Sequence, residues 1–132
     1  AHLAAAAMVI DWQAHGFARN PYKTALLASG MYDLHPVRLS KRSEYVHFTD
    51  EVEHRMSAQR HADRYGIPTI LAHGSFETPE FQRQTQAFAK TLQDAGKPVE
   101  LLICDGYNHY EMMEMVGNPL SPLGREAISQ AT

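Results

Sequence analysis

The 132-residue sequence lacks several features that mark particular classes of protein. Cys104 is its only cysteine, so no disulfide can form within the chain and no multi-cysteine zinc site can be built. It has neither an apolar run of about 20 residues, the length that a membrane-spanning helix needs, nor the pattern of a signal peptide. Its 12 Lys and Arg residues are scattered and do not form the basic stripe that nucleic-acid binding needs. These absences argue against a nucleic-acid or membrane protein, and the cytoplasm is favoured.

Several short motifs of known chemistry are also missing. There is no HExxH, and a single cysteine cannot supply the PCxxC half of the zinc-deaminase signature, so neither a metal nor another cofactor is expected. The phosphate-binding patterns GxGxxG and GxxxxGK[ST] are absent, which places a nucleotide-binding domain low among the alternatives. No two of the eight glycines lie four positions apart, so the GxSxG turn that carries a nucleophilic serine is absent as well.

What the sequence does contain is an alternation of apolar strands and helices. Hydrophobic residues make up 44% of the chain, which is typical of a single folded domain. Three short apolar runs, within residues 23–30, 67–74 and 97–106, have the length and composition of buried strands. Continuous apolar strands separated by helices predict an α/β fold with a parallel sheet and helices on both of its faces.

Turn and capping residues predict where the helices begin and end. The first helix is expected over residues 1–16, with Gly16 as its C-terminal stop. Asp50 is expected to cap a short helix, with Glu53 as the second member of a capping box. The remaining predicted helices run from Thr78 and Pro79 to Gly96, from His109 to Val116, and onward from Ser121 and Pro122.

Two titratable side chains follow neighbouring strands of the predicted sheet. Glu77 comes after the run in residues 67–74, and His109 comes after the run in residues 97–106. Since parallel strands deliver the loops that follow them to one edge of the sheet, these two side chains can meet. A carboxylate beside an imidazole fixes the tautomer of the ring and stabilises the imidazolium. The sequence therefore predicts an acid–base pair, with Asp105 and Glu111 as weaker alternatives for the acid.

Four segments resemble α/β-hydrolases of the esterase and kynurenine formamidase (arylformamidase) group. The segment AHLAAAAMVIDW is similar to the helix after the nucleophile turn of that group, and ALLASGMYDLHPV is similar to its strand and Tyr-Asp-Leu turn. The segment LAHGSFETPEFQRQTQAFAKTL is similar to its acid loop and the helix that follows, and GYNHYEMMEMVGNPLSPLGREAI to its catalytic-histidine segment and last helix. The resemblance identifies residues 1–132 as the C-terminal part of a single α/β-hydrolase domain.

The resemblance also implies a division of this domain and a set of roles. Residues 1–16 would be the helix after the nucleophile turn, residues 31–60 a pocket or cap excursion, and residues 67–132 the acid and histidine segments. His109 matches the general base and Glu77 the acid of a serine hydrolase that cleaves a small carboxylic ester, an arylformamide or a related amide.

The catalytic machinery implied by the resemblance is incomplete within these residues. The nucleophilic serine and the oxyanion hole would precede Ala1, so the expected partner is the N-terminal part of the same hydrolase. The last helices are a candidate surface for a homodimer. The alternative function is a non-catalytic α/β binding or interaction domain with the same architecture, since a fold alone does not fix a function.

The excursion over residues 31–60 is the expected wall of a substrate pocket. Its candidate substrate-binding residues are Tyr32, Leu34, His35 and Tyr45. Ser29 and Ser40 lack the nucleophile turn, so they are interpreted as ordinary turn or loop residues. Cys104 lies in an apolar strand and is interpreted as a buried, inert thiol.

Overall fold

A computed structural model of the chain describes residues 1–132, with six α-helices, three strands and two 3-10 helices. In chain order the α-helices and strands are α1 (His2–Met8), β1 (Ala25–Ala28), α2 (His35–Arg38), α3 (Asp50–Met56), β2 (Thr69–Gly74), α4 (Pro79–Asp94), β3 (Val99–Cys104), α5 (His109–Val116) and α6 (Pro122–Ala131). The 3-10 helices are Lys41–Glu44 and Ala58–Arg64. None of the helices is both long enough and apolar enough to cross a membrane.

The three strands form one parallel sheet in the order β1-β2-β3. Leu27 lies beside Leu71 in the first pair, and Gly74 lies beside Cys104 in the second. Parallel neighbours cannot be joined by a tight turn, and the chain crosses back between β2 and β3 through α4. The carboxyl ends of all three strands therefore lie at the same edge, and the predicted parallel sheet is confirmed.

Helices cover both faces of this sheet, as the continuous apolar strands predicted. Side chains alternate between the faces along each strand, so every strand contributes to two cores. The first core lies between the sheet and the helices α1 and α4, and includes Leu27, Leu71, Phe88 and Leu92. The second lies under α5 and α6, and includes Ala72, Cys104, Met112, Met115 and Leu123.

The first helix is shorter than the sequence predicted. It ends at Met8 and not at Gly16. The side chain of Asp11 accepts hydrogen bonds from the backbone N–H groups of Gln13 and Ala14, at 3.1 and 3.2 Å. An aspartate that binds the backbone two and three residues ahead favours a turn in place of the next helical turn. The residues between α1 and β1 are accordingly turns and bends.

The start of α3 also differs from the prediction. Thr49 is the N-cap, and its hydroxyl accepts a hydrogen bond from the N–H of Val52 at 3.1 Å. Asp50 is instead the first residue of the helix, where its charge suits the helix dipole. Glu53 takes no part in a capping box because two arginines bind its carboxylate: Arg60 at 2.6 Å and Arg38 at 3.1 Å.

Candidate active site

Glu77 and His109 meet at the carboxyl edge of the sheet. Glu77 lies in the loop after β2, and His109 is the first residue of α5, after β3. The Nδ1 atom of His109 lies 3.0 Å from Oε2 of Glu77. The topology thus brings together the two side chains that the sequence paired, while their catalytic roles stay a prediction.

The carboxylate of Glu77 is completely removed from solvent, with 0% of its side chain exposed. A buried charge is costly unless hydrogen bonds compensate it. Its Oε1 accepts a hydrogen bond from the N–H of Gly74 at 3.0 Å and another from the hydroxyl of Ser29. The side chain of Gln82 donates to the backbone carbonyl of Glu77 at 2.7 Å. These contacts hold the loop and leave Oε2 for the imidazole.

The loops after β2 and β3 are tied to each other by their backbones. The N–H of Ser75 donates to the carbonyl of Cys104, and the N–H of Phe76 donates to the carbonyl of Tyr107, each at 3.0 Å. The two loops approach so closely that a Cβ atom at Gly74 would lie 2.0 Å from the carbonyl oxygen of Tyr107. Glycine at this position therefore permits the approach that brings Glu77 to His109.

The position of His109 is set by the start of α5. Asn108 caps the helix: its Oδ1 accepts hydrogen bonds from the N–H groups of Tyr110 and Glu111, at 3.0 and 3.2 Å. The ring of Phe81 lies beside the imidazole, with 4.3 Å between ring centroids. The side chain of His109 is 42% exposed, and its Nε2 makes no hydrogen bond within the chain. With the Nδ1 proton donated to Glu77, Nε2 is available to accept a proton.

Neither of the alternative acids contacts His109. Asp105 accepts a hydrogen bond from the hydroxyl of Ser75 at 2.9 Å. Glu111 completes the capping box of α5 by accepting from the N–H of Asn108 at 2.8 Å. The geometry therefore favours Glu77 over both alternatives as the partner of the imidazole.

The four predicted substrate-binding residues are spread over the excursion, and none of them contacts Glu77 or His109. Tyr32 is fully buried and stacks on Phe88, at 4.7 Å between centroids, and burial raises the pKa of its hydroxyl. Leu34 is also buried, so a ligand has no access to either side chain. Two of the four side chains are exposed and stay predictions: His35, whose Nδ1 lies 3.3 Å from Glu53, and Tyr45, which is 74% exposed.

A recess of about 150 Å³ lies beside the acid–base pair, between the excursion and the start of α4. Gln84 joins the two sides, because its Oε1 accepts hydrogen bonds from the N–H groups of Tyr32 and Asp33, at 2.7 and 2.9 Å. The lining includes Phe81, the ring that contacts His109. The other lining residues are Met31, Pro36, Val37, Ser40, Arg42, Thr78, Glu80 and Gln84.

Sequence reasoning missed Ser29 and Phe81 as parts of this site. Ser29 was interpreted as a turn residue, yet its hydroxyl binds Glu77. The signal that could have found it is topological, because Ser29 directly follows β1 and so lies at the edge where Glu77 and His109 emerge. Phe81 lies on α4, and its contact with the imidazole depends on the tertiary fold, so no local pattern in the sequence points to it.

The chain offers neither a reactive cysteine nor a cluster of metal ligands as an alternative site. Cys104 is buried, and burial raises the pKa of its thiol, so little of it is in the reactive thiolate form. The structure contains no group of three or more His, Cys, Asp and Glu side chains that could hold a metal ion.

Sequence comparison relates the chain to two curated proteins. The kynurenine formamidase of Danio rerio is 29% identical over 121 residues, which cover 88% of this chain and 41% of that protein. The kynurenine formamidase of Salmo salar is 28% identical over 122 residues, with the same two shares. The chain thus spans about two fifths of the length of these relatives. No family model matches the sequence.

Structural comparison relates the chain to an esterase of Thermogutta terrifontis. Esterase 2 of that organism, phosphoramylated by tabun, superimposes with a TM-score of 0.65 at 21% identity, over 98% of this chain and 48% of that one. A native structure of a thermophilic esterase from the same organism gives a TM-score of 0.61 at 18% identity, over 98% and 49%. The chain has the α/β-hydrolase fold, as predicted, and its coverage fits a C-terminal portion of that fold.

Proposed function

We propose that this chain carries the acid and the base of a serine hydrolase, and that the nucleophilic serine lies outside residues 1–132. The observation that carries the proposal is the 3.0 Å contact between Nδ1 of His109 and the fully buried carboxylate of Glu77. The similarity to kynurenine formamidases and to esterases supports hydrolysis as the reaction. The proposed partner is the N-terminal part of the same hydrolase.

In the proposed reaction His109 moves the protons. The serine hydroxyl attacks the carbonyl carbon of an ester or amide while Nε2 of His109 takes the hydroxyl proton, and Glu77 stabilises the imidazolium. The imidazolium then gives that proton to the leaving oxygen or nitrogen, and the acyl-enzyme forms. Water then attacks the acyl carbon while Nε2 of His109 takes one of its protons. That proton passes to the serine oxygen as the bond between this oxygen and the acyl carbon breaks, and the carboxylic acid leaves. Backbone N–H groups outside this chain would stabilise the oxyanion.

The recess of about 150 Å³ next to Phe81 is the proposed site for one substituent of the substrate. Its apolar lining from Met31, Val37 and Phe81 favours an apolar group there. We propose a small carboxylic ester or an arylformamide as the substrate, and the similarity to esterases and to kynurenine formamidases supports this class. The single, buried cysteine is the ground for proposing a cytoplasmic location.

The test is hydrolysis of a nitrophenyl acetate and of an N-aryl formamide by the protein that carries these residues. Substitution His109→Ala removes the proposed base and should lower kcat by about 10⁴-fold, since members of a catalytic triad act as a unit. His15→Ala is the matched control, because His15 is exposed, makes no side-chain hydrogen bond and lies outside the excursion, and it should leave kcat unchanged.

Two outcomes would contradict the proposal. Wild-type rates in the His109→Ala variant would remove His109 from the mechanism. A wild-type protein that binds small molecules but hydrolyses neither substrate would favour the alternative, a non-catalytic binding domain with the hydrolase architecture.

A further inference from the structure

Ser29 adopts a backbone conformation that is unusual for its residue type. It directly follows β1 and has a φ of +57°, and it is the only residue other than glycine with a positive φ. The left-handed conformation is unfavourable for a residue with a Cβ atom, because the Cβ atom approaches the following carbonyl oxygen. Such strain persists only where the surrounding structure fixes it, and it clusters at functional sites. The N–H of Ser29 is held by the carbonyl of Ala72 at 2.8 Å, at the end of the paired strands.

The conformation directs the hydroxyl of Ser29 to the carboxylate of Glu77. Ser29 is buried, and its Oγ donates to Oε1 of Glu77. The N–H of Gly74 donates to the same oxygen at 3.0 Å. The terminal torsion of a glutamate has a broad energy profile, so a carboxylate rotates easily unless its oxygens are bound. Two donors on Oε1 fix the plane of the group and present Oε2 to His109.

The three strands thus contribute one side chain each to a single hydrogen-bonded chain. Ser29 follows β1, Glu77 follows β2 and His109 begins α5 after β3. Ser29 binds Glu77 and Glu77 binds His109, in the same order as the strands lie in the sheet. A glycine at position 29 would satisfy the backbone without strain but could not bind the carboxylate. If residue 29 only had to form the turn, glycine would suit the position better than serine.

We propose that Ser29 is a positioning residue, whose hydroxyl holds the carboxylate of Glu77 in the orientation that binds His109. The catalytic part of this inference rests on the proposed function. A hydrogen bond to a charged group is strong enough that its loss should lower kcat by about ten- to a hundredfold. KM should stay unchanged, because Ser29 is buried and does not reach the recess.

The experiment compares Ser29→Ala with Ser29→Gly in the protein that carries these residues. Both variants lose the hydroxyl, but glycine also removes the strain of the positive φ. Ser129→Ala, an exposed position on α6, is the control. The readouts are kcat and KM on the two substrates, and the far-downfield proton NMR signal of the Nδ1–H of His109, which reports its hydrogen bond to Glu77.

Both substitutions should lower kcat without changing KM, and both should weaken or shift the Nδ1–H signal, while the control changes neither. The inference is overturned if Ser29→Gly keeps the wild-type kcat and signal, because any loss in Ser29→Ala would then come from backbone strain. If the wild type hydrolyses neither substrate, the proposed function fails, and the signal alone decides whether Ser29 positions Glu77.

Discussion

Among single residues, Glu77 is the one on whose contacts the proposed chemistry depends most. Its carboxylate is fully buried and binds three groups: the N–H of Gly74, the hydroxyl of Ser29 and Nδ1 of His109. A buried carboxylate that accepts hydrogen bonds from all three groups can hold the imidazole in one tautomer. It can also compensate the positive charge of the imidazolium. Removing the charge while keeping the shape tests this role directly.

Glu77→Gln should lower kcat by about 10⁴-fold, because the amide cannot stabilise the imidazolium and its NH₂ group favours the wrong tautomer of His109. Steady-state kinetics on the ester substrate measure the effect. Glu114→Gln is the matched control, since Glu114 is exposed on α5 and its side chain makes no hydrogen bond. A Glu77→Gln variant with a kcat close to that of wild type would show that another group serves as the acid.

Gly74→Ala should destabilise the fold by about 1–3 kcal/mol, the usual cost of overpacking. The added methyl group would lie 2.0 Å from the carbonyl oxygen of Tyr107, and backbone cannot move aside as a side chain can. Urea denaturation measures the change in the free energy of unfolding. Gly66→Ala is the control, because a methyl group there meets nothing within 4 Å. Equal midpoints for the two variants would contradict the close approach of the two loops.

At the scale of elements, the excursion over residues 31–60 is organised around Glu53. Arg60, on the second 3-10 helix, binds its carboxylate at 2.6 Å, and Arg38, on α2, binds it at 3.1 Å. Hydrogen bonds from Arg60 and Arg38 lower the pKa of Glu53 from its ordinary value of 4.5 to about 2. One carboxylate on α3 thus joins three short helices that pack too little apolar surface to be stable alone.

The lowered pKa of Glu53 predicts an acid dependence of stability. The unfolded chain binds a proton at Glu53 near pH 4.5 while the folded chain resists it until about pH 2, so the stabilisation is present above pH 4.5 and is lost as the pH falls towards 2. Glu53→Gln should be less stable at pH 7 and should lose this component of the acid dependence.

Denaturant midpoints measured between pH 2 and pH 7 provide the test. Glu51→Gln serves as the control, since Glu51 is exposed and forms only a surface pair with Arg55 at 3.3 Å. Parallel acid curves for wild type and Glu53→Gln would show that Glu53 does not hold the excursion together.

The elements that the sequence predicts correctly are those whose signals are local. The three strands, α4 and α5 follow from apolar runs and from caps that neighbouring residues supply. The end of α1 was wrong because it depends on the irregular turn that Asp11 makes. The predicted capping role of Glu53 was wrong because its carboxylate binds Arg38 and Arg60, which lie 15 and 7 residues away in sequence on other helices.

In the candidate site, the pairing of residues could be predicted from the sheet topology, but the contacts around that pair could not. The pairing of Glu77 with His109 was predictable, because parallel strands deliver their loops to one edge. The contribution of Ser29 was not predicted, since serine gives no sign of a positive φ. One side of the recess is formed by the excursion, as expected. The other side is the start of α4, and Gln84 joins the two by binding the backbone of residues 32 and 33.

At the scale of the whole molecule, the order β1-β2-β3 places Ser29, Glu77 and His109 along one edge of the sheet. The chain spans about two fifths of its curated relatives and about half of its structural neighbours. In the proposed reaction, Glu77 and His109 act on a carbonyl together with a nucleophile beside Nε2 of His109. The proposed function therefore requires a serine outside residues 1–132 to complete the site.

The most direct test is labelling of the protein that carries these residues with a fluorophosphonate, followed by intact mass measurement and peptide mapping. One phosphonyl adduct is expected, on a serine outside residues 1–132, and it should be lost in the His109→Ala variant. An adduct on a serine within residues 1–132, or no adduct on the folded wild-type protein, would contradict the proposed function.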